Sequence, residues 1–289
     1  MANAGGVGAM GVTWTEPETA VAWVKQVKSQ TEGLFQVNFV LHFEPTGLDV
    51  VLEAGAPIVT FSWGNHWQHK EYVERVQKAG AFVGVQVVSV MGAYAALQHQ
   101  PDFLICQGVE AGGHVQSSTP IDDFLPGCVE VSRGTPIIGA GGIATGQRIR
   151  EILKCGASGA MLGTRFVATK ESRAHTVYKK ALMGRDRTVL TLCFDGGWPG
   201  ALHRVMPNST LFEWETAGCP SAPDRPQEGR VVVRSGNSLV HRYEDTAPQI
   251  GMEGDIEAMC LYAGTGVGDI HDVPEAEELI ERLWRETQA

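Results

Sequence analysis

A chain of 289 residues is long enough for one large domain or two modest ones. Apolar residues make up 43% and charged residues 19%, which supplies a core and excludes a disordered chain. A formal charge of −10 without a basic run excludes nucleic acid and anionic membrane surfaces as partners.

No apolar stretch reaches the length of a membrane span, and no secretory signal opens the chain. Six cysteines are scattered without a C-x-x-C, so a reduced, cytoplasmic protein is expected rather than a disulfide framework.

In chain order, the apolar run inside NAGGVGAMG reads as a short buried strand. Thr15-x-x-Glu18 reads as a capping box with Pro17 in the first turn, and Ala20, Trp23, Val24 and Val27 follow at helical spacing. That spacing predicts a helix to about Ser29. Phe35–Val40 is the next strand, followed by a short helix over Leu48–Glu53. Pro57–Trp63 is strand-like, residues 68–79 helical, Phe82–Val88 a strand and residues 91–98 helical. After Phe103–Cys106 come a helix over Ile121–Ser132, a strand over 136–140, and a helix in which Ile149, Ile152 and Leu153 share a face. Gly156 is expected at that helix's C-terminus. A strand over 159–163 and a helix over Ser172–Met183 complete the alternation.

Strict alternation of helices with continuously apolar strands predicts a parallel sheet covered by helices. About seven strand–helix units are countable, where a closed (β/α)₈ barrel needs eight. From Gly184 to Gly268 the chain turns rich in Gly, Pro, Trp and Thr, and reads as an inserted lid. Within it, Val231–Arg234 and Ser238–Tyr243 suggest a hairpin around Gly236–Asn237. Asp272-x-x-Glu275 resembles a capping box, and Ala276, Leu279, Ile280, Leu283 and Trp284 predict an amphipathic helix docked on the body.

The chemistry concentrates between Cys106 and Thr164. Three short apolar runs there end in small-residue turns: Gly108 with the Gly112–Gly113 pair, the Gly141–Gly142 pair, and Gly163–Thr164. Strands that finish in glycine present bare backbone N–H groups at one rim of the sheet, where an anionic or planar ligand can approach closely. The G-x-G-x-x-G spacing of a dinucleotide fold fails, and no Gly-Lys-Ser/Thr exists. The loops after the last two strands of a barrel are instead the usual phosphate site. Tight-turn glycines alone are the plain alternative.

His114 is the one imidazole inside these turns, at the rim where barrel enzymes work, and is the candidate acid–base residue. Glu110 is a weaker candidate, since strand-end carboxylates often bind backbone or pair with cations. His66 and His69 are spaced for a shared helix face, but neither Cys nor clustered acids join them, so no metal site is assigned. Cys106 reads as a small buried hydrophobe rather than a thiolate nucleophile.

ICQGVEAGGH, PIIGAGGIATG and MLGTRFVATKES, with NAGG at the start and QVNFV around Asn38, together resemble the nitronate monooxygenase family, formerly called 2-nitropropane dioxygenases. The resemblance covers residues 3–172, with a weaker echo in YAGTGVG, and extends to the FMN-dependent enoyl-carrier-protein reductases. It implies a TIM (β/α)₈-type barrel with noncovalent FMN, a substrate-side lid, and no nucleic-acid or membrane partner. By resemblance Asn38, Gln107, Gly112, Gly113, Gly141, Gly142, Met161, Leu162, Gly163 and Thr164 would contact FMN. The glycine-ended strands place its phosphate among Gly141, Gly142, Gly163 and Thr164. His114 occupies the position of the family's catalytic histidine. The implied reaction oxidises an alkyl nitronate with O₂ to a carbonyl compound and nitrite. The partners are thus a small-molecule substrate and O₂, and homo-oligomerisation stays open.

Departures from the family pattern fall near the substrate: Gln36, Gln116, the YAGT of 262–265, and the bulk of Trp63 and the residues after it. Two alternatives therefore stand, an NAD(P)H-dependent FMN reductase of an enoyl thioester or quinone, and a degenerate flavin-binding paralogue. Residues 1–184 and 269–289 are expected to form the barrel with its C-terminal helix, and residues 185–268 the lid. The NAGG turn follows the first strand and helix of such barrels, so this barrel is expected to lack its first strand. The gap should lie between GVGAM and GAMLGT, left open or filled by a partner or tail segment.

Overall fold

The computed structural model describes residues 1–64 and 66–289, with the side chains of residues 66–69 outside the description. The His66/His69 pair therefore lies outside the described residues. The chain alternates β1 (Gly8–Gly11), α1 (Pro17–Gln30), β2 (Phe35–Val40), α2 (Leu48–Glu53), β3 (Ile58–Ser62), α3 (His66–Lys78), β4 (Phe82–Val87) and α4 (Val90–Leu97). It continues with β5 (Phe103–Gln107), the two-residue β6 (Gly113–His114), α5 (Ile121–Ser132), β7 (Ile137–Ala140), α6 (Gly146–Lys154), β8 (Gly159–Met161), α7 (Thr164–Val167) and α8 (Thr176–Gly184).

Seven of these strands form one parallel sheet in the order β1-β2-β3-β4-β5-β7-β8. The sheet curls as a barrel does but stays open, and its two edges are β1 and β8. This is the barrel one strand short that the strand count predicts. All five residues of β3 are buried, which explains why its sequence, IVTFS, carries no charge and only small hydroxyl side chains among the apolar ones. Val37, Phe39, Val59, Phe61, Val83, Val85 and Leu104 form the barrel interior and its helix-facing layer.

The remaining elements are β9 (Val189–Thr191), β10 (His203–Val205), α9 (Ser209–Thr216), β11 (Val231–Ser235), β12 (Ser238–His241), β13 (Met252–Gly254) and α10 (Ala276–Gln288). β11 and β12 form the expected hairpin and β13 adds a third antiparallel strand. β10 pairs with β9 on one side and with β6 on the other, so His114 is tied directly to the region that follows the barrel helices.

α10 packs along α6. The Gly146 N–H donates to Glu286 Oε2 at 3.0 Å and the Thr287 hydroxyl to Gly146 O at 3.2 Å. A Cβ on Gly146 would stand 2.3 Å from the Glu286 Cβ, so the helices meet only because this residue is glycine. At its other contact α10 reaches the chain start, where the Ile280 side chain lies 3.3 Å from the position of a Gly6 Cβ. It thus lies against both the unit preceding β8 and the turn preceding β1.

Three local expectations are corrected. Thr15 is not a cap: α1 has Glu16 at its N-cap with no side-chain hydrogen bond. Asp272 does not cap α10 either, because its carboxylate pairs with Arg165 (2.5 Å) and Arg282 (2.6 Å), leaving Glu275 at the N-cap. The helix expected from Ser172 begins at Thr176, since His175 Nδ1 accepts from the Val177 N–H at 3.2 Å and caps it there.

Candidate active site

Parallel register brings the C-terminal ends of three strands side by side: Gln107 opposite Ala140, and Ala140 opposite Met161. Beyond them the chain turns through Gly141 (φ 114°) and Gly142 (φ 67°), conformations that favour glycine. The stretch 262–266 crosses above. A Cβ on Gly112 would sit 2.3 Å from the Gly264 nitrogen, the Gly264 N–H donates to Thr164 Oγ1 (2.9 Å), and the Thr265 N–H to Glu110 O (3.0 Å).

Between these backbones lies a cavity of 180 Å³. Of the expected cofactor residues, Gln107, Gly112, Gly141, Gly142, Met161, Leu162, Gly163 and Thr164 all line it. Among the described residues the N–H groups of Gly141, Gly142 and Gly163 make no hydrogen bond within the chain. Gly113, next to Gly112 in the chain, lies on β6 and does not line the cavity. Asn38 is not brought to it: its amide donates to Thr60 Oγ1 (3.1 Å) and its Oδ1 accepts from the Ser62 hydroxyl (3.4 Å). Gln86, Gly264 and Gly266 also line the cavity and were not anticipated. The Gln86 Nε2 is buried with no hydrogen-bond partner among the described residues. A lone polar residue in the apolar FVGVQV strand was the available signal for it.

His114 faces a second cavity of 310 Å³, lined by Trp14, His114, Gly197, Asp245 and Tyr262. The linings of the two cavities are joined by chain: Gly112 and Gly264, whose backbones meet, line one, and two residues away His114 and Tyr262 line the other. The imidazole stands 4.8 Å from the Trp198 ring, 5.7 Å from His203 and Tyr262, and 6.4 Å from Trp63, centroid to centroid. Its Nε2 is buried without a hydrogen-bond partner among the described residues, and Asp245 Oδ2 lies 3.8 Å away. Burial among these rings lowers the His114 pKa to about 4, so the ring is neutral near pH 7 and able to accept a proton.

His203, fully buried, is committed elsewhere. Its Nε2 accepts from the Phe194 N–H at 3.1 Å and its Nδ1 lies 2.9 Å from Ala201 O, which fixes the tautomer and occupies both nitrogens. Glu110 is likewise structural, its carboxylate accepting the Ile121 N–H at 3.2 Å at the start of α5. Cys106 is buried beside Cys128, and contact with that thiol and burial push its pKa far up. Tyr262 donates to Asp245 O at 2.8 Å, and burial keeps its phenol protonated. Among the described residues no group of three His, Cys, Asp or Glu side chains could hold a metal ion, and no helix is long and apolar enough to cross a membrane.

The buried imidazoles link stability to pH. Burial lowers the folded-state pKa of His203 to about 4 from an ordinary 6.5, so the unfolded chain binds its proton first. The stability is therefore complete above pH 6.5 and is lost as pH falls through 4, on the order of 3 kcal/mol at full effect. Urea midpoints should fall over that window, and His203→Gln should reduce the dependence, with His114 keeping its own share.

Comparison with known proteins agrees with this geometry. The family model described as nitronate monooxygenase matches residues 44–286. A nitronate monooxygenase of Pseudomonas aeruginosa is 28% identical, with 98% of this chain and 91% of that protein aligned. A (3aS,4S,5R,7aS)-5-hydroxy-7a-methyl-1-oxo-octahydro-1H-indene-4-carboxyl-CoA dehydrogenase of Mycobacterium tuberculosis is also 28% identical, over 98% of this chain and 86% of that one. Among solved structures, FabK from Thermotoga maritima superposes with a TM-score of 0.80 at 26% identity, covering 99% of this chain and 86% of that one. Nitroalkane oxidase from Streptomyces ansochromogenes gives 0.79 at 25% identity, over 99% and 90%. With the family model spanning all but the first strands of the sheet, this chain belongs to the nitronate monooxygenase family and, with it, to the oxidoreductases.

Proposed function

We propose that this chain is an FMN-dependent oxidoreductase that oxidises alkyl nitronates, or a related carbanion-like substrate, with O₂ to a carbonyl compound and nitrite. The observation that carries this reading is the placement of one neutral, unengaged imidazole, His114, directly beside a cavity walled by glycine backbone. The cradle suits FMN. Unengaged N–H groups at Gly141, Gly142 and Gly163 fit a phosphate, and a Cβ built on Gly163 would meet nothing within 4 Å. The unpartnered Gln86 amide and the Gln107 amide fit the polar edge of a flavin. Bound there, the flavin supplies the electron-accepting chemistry.

This chain's residues supply the rest. His114 takes the proton of a neutral nitro compound at Nε2 or holds the nitronate by hydrogen bond. Trp14 and Tyr262 line the cavity that His114 faces, and Trp63 and Trp198 pack around the imidazole itself, which limits water. We assign residues 1–184 and 269–289 to the cofactor-binding barrel and residues 185–268 to a lid, with residues 195–203 nearest the substrate, because Trp198 stacks against His114.

A second reading, an NAD(P)H-dependent reductase of an enoyl thioester or quinone, is favoured by the similarity to a carboxyl-CoA dehydrogenase. Anaerobic mixing decides between them. The FMN-loaded protein is expected to lose its visible flavin absorbance on addition of 2-propyl nitronate and to keep it with NADH or NADPH. Bleaching by a nicotinamide alone would select the reductase, and a protein that stays colourless after FMN is added would exclude both.

A further inference from the structure

We propose that Asp245 decides which protonation state of the substrate the site accepts. Its carboxylate stabilises His114 once that ring has taken a proton from a neutral carbon acid, and repels a substrate that arrives already as an anion. The proposal rests on the reading of His114 as the acid–base residue, and it makes the preferred substrate the nitroalkane rather than the preformed nitronate.

Asp245 is held in place on two sides. A Cβ on Gly197 would stand 2.1 Å from its Oδ1, so the carboxylate packs tightly against that glycine backbone. The Tyr262 phenol donates to its carbonyl oxygen at 2.8 Å. The side chain is 25% exposed, opens into the His114 cavity, and forms no ion pair with Lys or Arg among the described residues. Neighbouring carboxylates are matched: Asp195 by Arg225 at 2.8 Å and Glu244 by His241 at 2.7 Å. Among the described residues Asp245 is the one carboxylate lining that cavity, and its pKa is raised chiefly by burial. A half-buried carboxylate without a counter-cation is costly, and Nε2 of His114, itself without a hydrogen-bond partner and 3.8 Å from Oδ2, is where one would form.

Among the described residues the other groups facing His114 cannot take that role. His203 has both nitrogens engaged, Tyr262 uses its hydroxyl on Asp245 O, and Trp63 and Trp198 carry no charge. Proton transfer balances simply. The substrate C–H bond breaks, its electron pair stays on the substrate, and the proton forms an N–H bond at Nε2. A neutral ring and a neutral substrate become an imidazolium and an anion, and Asp245 stabilises the imidazolium as it appears. A nitronate entering from solvent meets a neutral ring and the Asp245 charge, so its entry is opposed.

Asp245→Asn removes the charge at nearly constant size. We expect kcat/KM for 2-nitropropane to fall about tenfold and that for 2-propyl nitronate to rise about tenfold, the scale of one unit charge in a partly solvated site. Isobutyrate, an unreactive anion of similar shape, gives a readout without turnover. Its binding, followed by fluorescence of the tryptophans around the cavity, should tighten about tenfold in Asp245→Asn and stay weak in Asp245→Glu. Asp245→Ser repeats the comparison should the asparagine protein not fold. A parallel fall with both nitro substrates, or isobutyrate binding unchanged by loss of the charge, would overturn the proposal. If the wild type uses neither nitro substrate, the functional reading fails, and the isobutyrate comparison still decides whether Asp245 excludes anions.

Discussion

Replacing His114 by alanine is expected to slow turnover of a neutral nitroalkane by about 10²–10⁴-fold, the usual scale for a lost general base. The size of the effect follows from what surrounds the ring. Among the described residues no second imidazole is free to substitute, because His203, 5.7 Å away, gives its nitrogens to Phe194 and Ala201. Water is a poor replacement among Trp198, Trp63 and Tyr262. Oxidation of a preformed nitronate should suffer less, since its proton is already gone. Nitrite release measured with both substrates tests this, and equal losses would mean that the ring orients the substrate without abstracting a proton.

Gly142→Val is expected to leave the protein without flavin. Gly142 sits at φ 67°, and an added Cβ would meet Thr265 Oγ1 at 2.7 Å and the Glu110 Cβ at 2.9 Å. A β-branched residue there adds about 1–3 kcal/mol of backbone strain, which with the collisions should lower flavin affinity at least about 100-fold. Titration of apoprotein with FMN, followed by flavin fluorescence, measures it. Gly163→Ala is the companion: its backbone is unstrained and the new Cβ would meet nothing within 4 Å. Its thermal stability should match the wild type, so any loss of flavin affinity there reports the cradle itself. Unchanged flavin binding in Gly142→Val would remove this turn from the cofactor site.

The parallel sheet was legible because its central strands are buried on both faces, which leaves short runs without charged residues, such as Ile58–Ser62, in the sequence. The glycine wall of the cavity was legible for a related reason: the glycines end successive strands of one sheet, and parallel register brings those ends side by side. The other wall of the site was not. Trp198, Asp245 and Tyr262 come from irregular chain far apart in sequence, and only the pairing of β6 with β10 and the crossing of residues 262–266 bring them to His114. Periodicity carries no information about such contacts. The misread caps at Thr15 and Asp272 have a different origin. A short local motif is worth about 1 kcal/mol, and for Asp272 two arginines, one of them the buried Arg165, compete for the same carboxylate.

The position of α10 has a consequence for the order of folding. Ile280 against Gly6 and Glu286 against Gly146 join parts of the chain that are very distant in sequence. Closing so long a loop brings no return until most of the intervening chain is ordered, so these contacts belong to the last steps on the way to the native state. Until then α6 and the turn at the chain start, which flank the two margins of the sheet, lack the apolar helix they pack against, and a partly folded molecule at high concentration has two places to meet another. Refolding yield should therefore depend on protein concentration more steeply than native stability does, with the final helix acting as the step that ends the exposure.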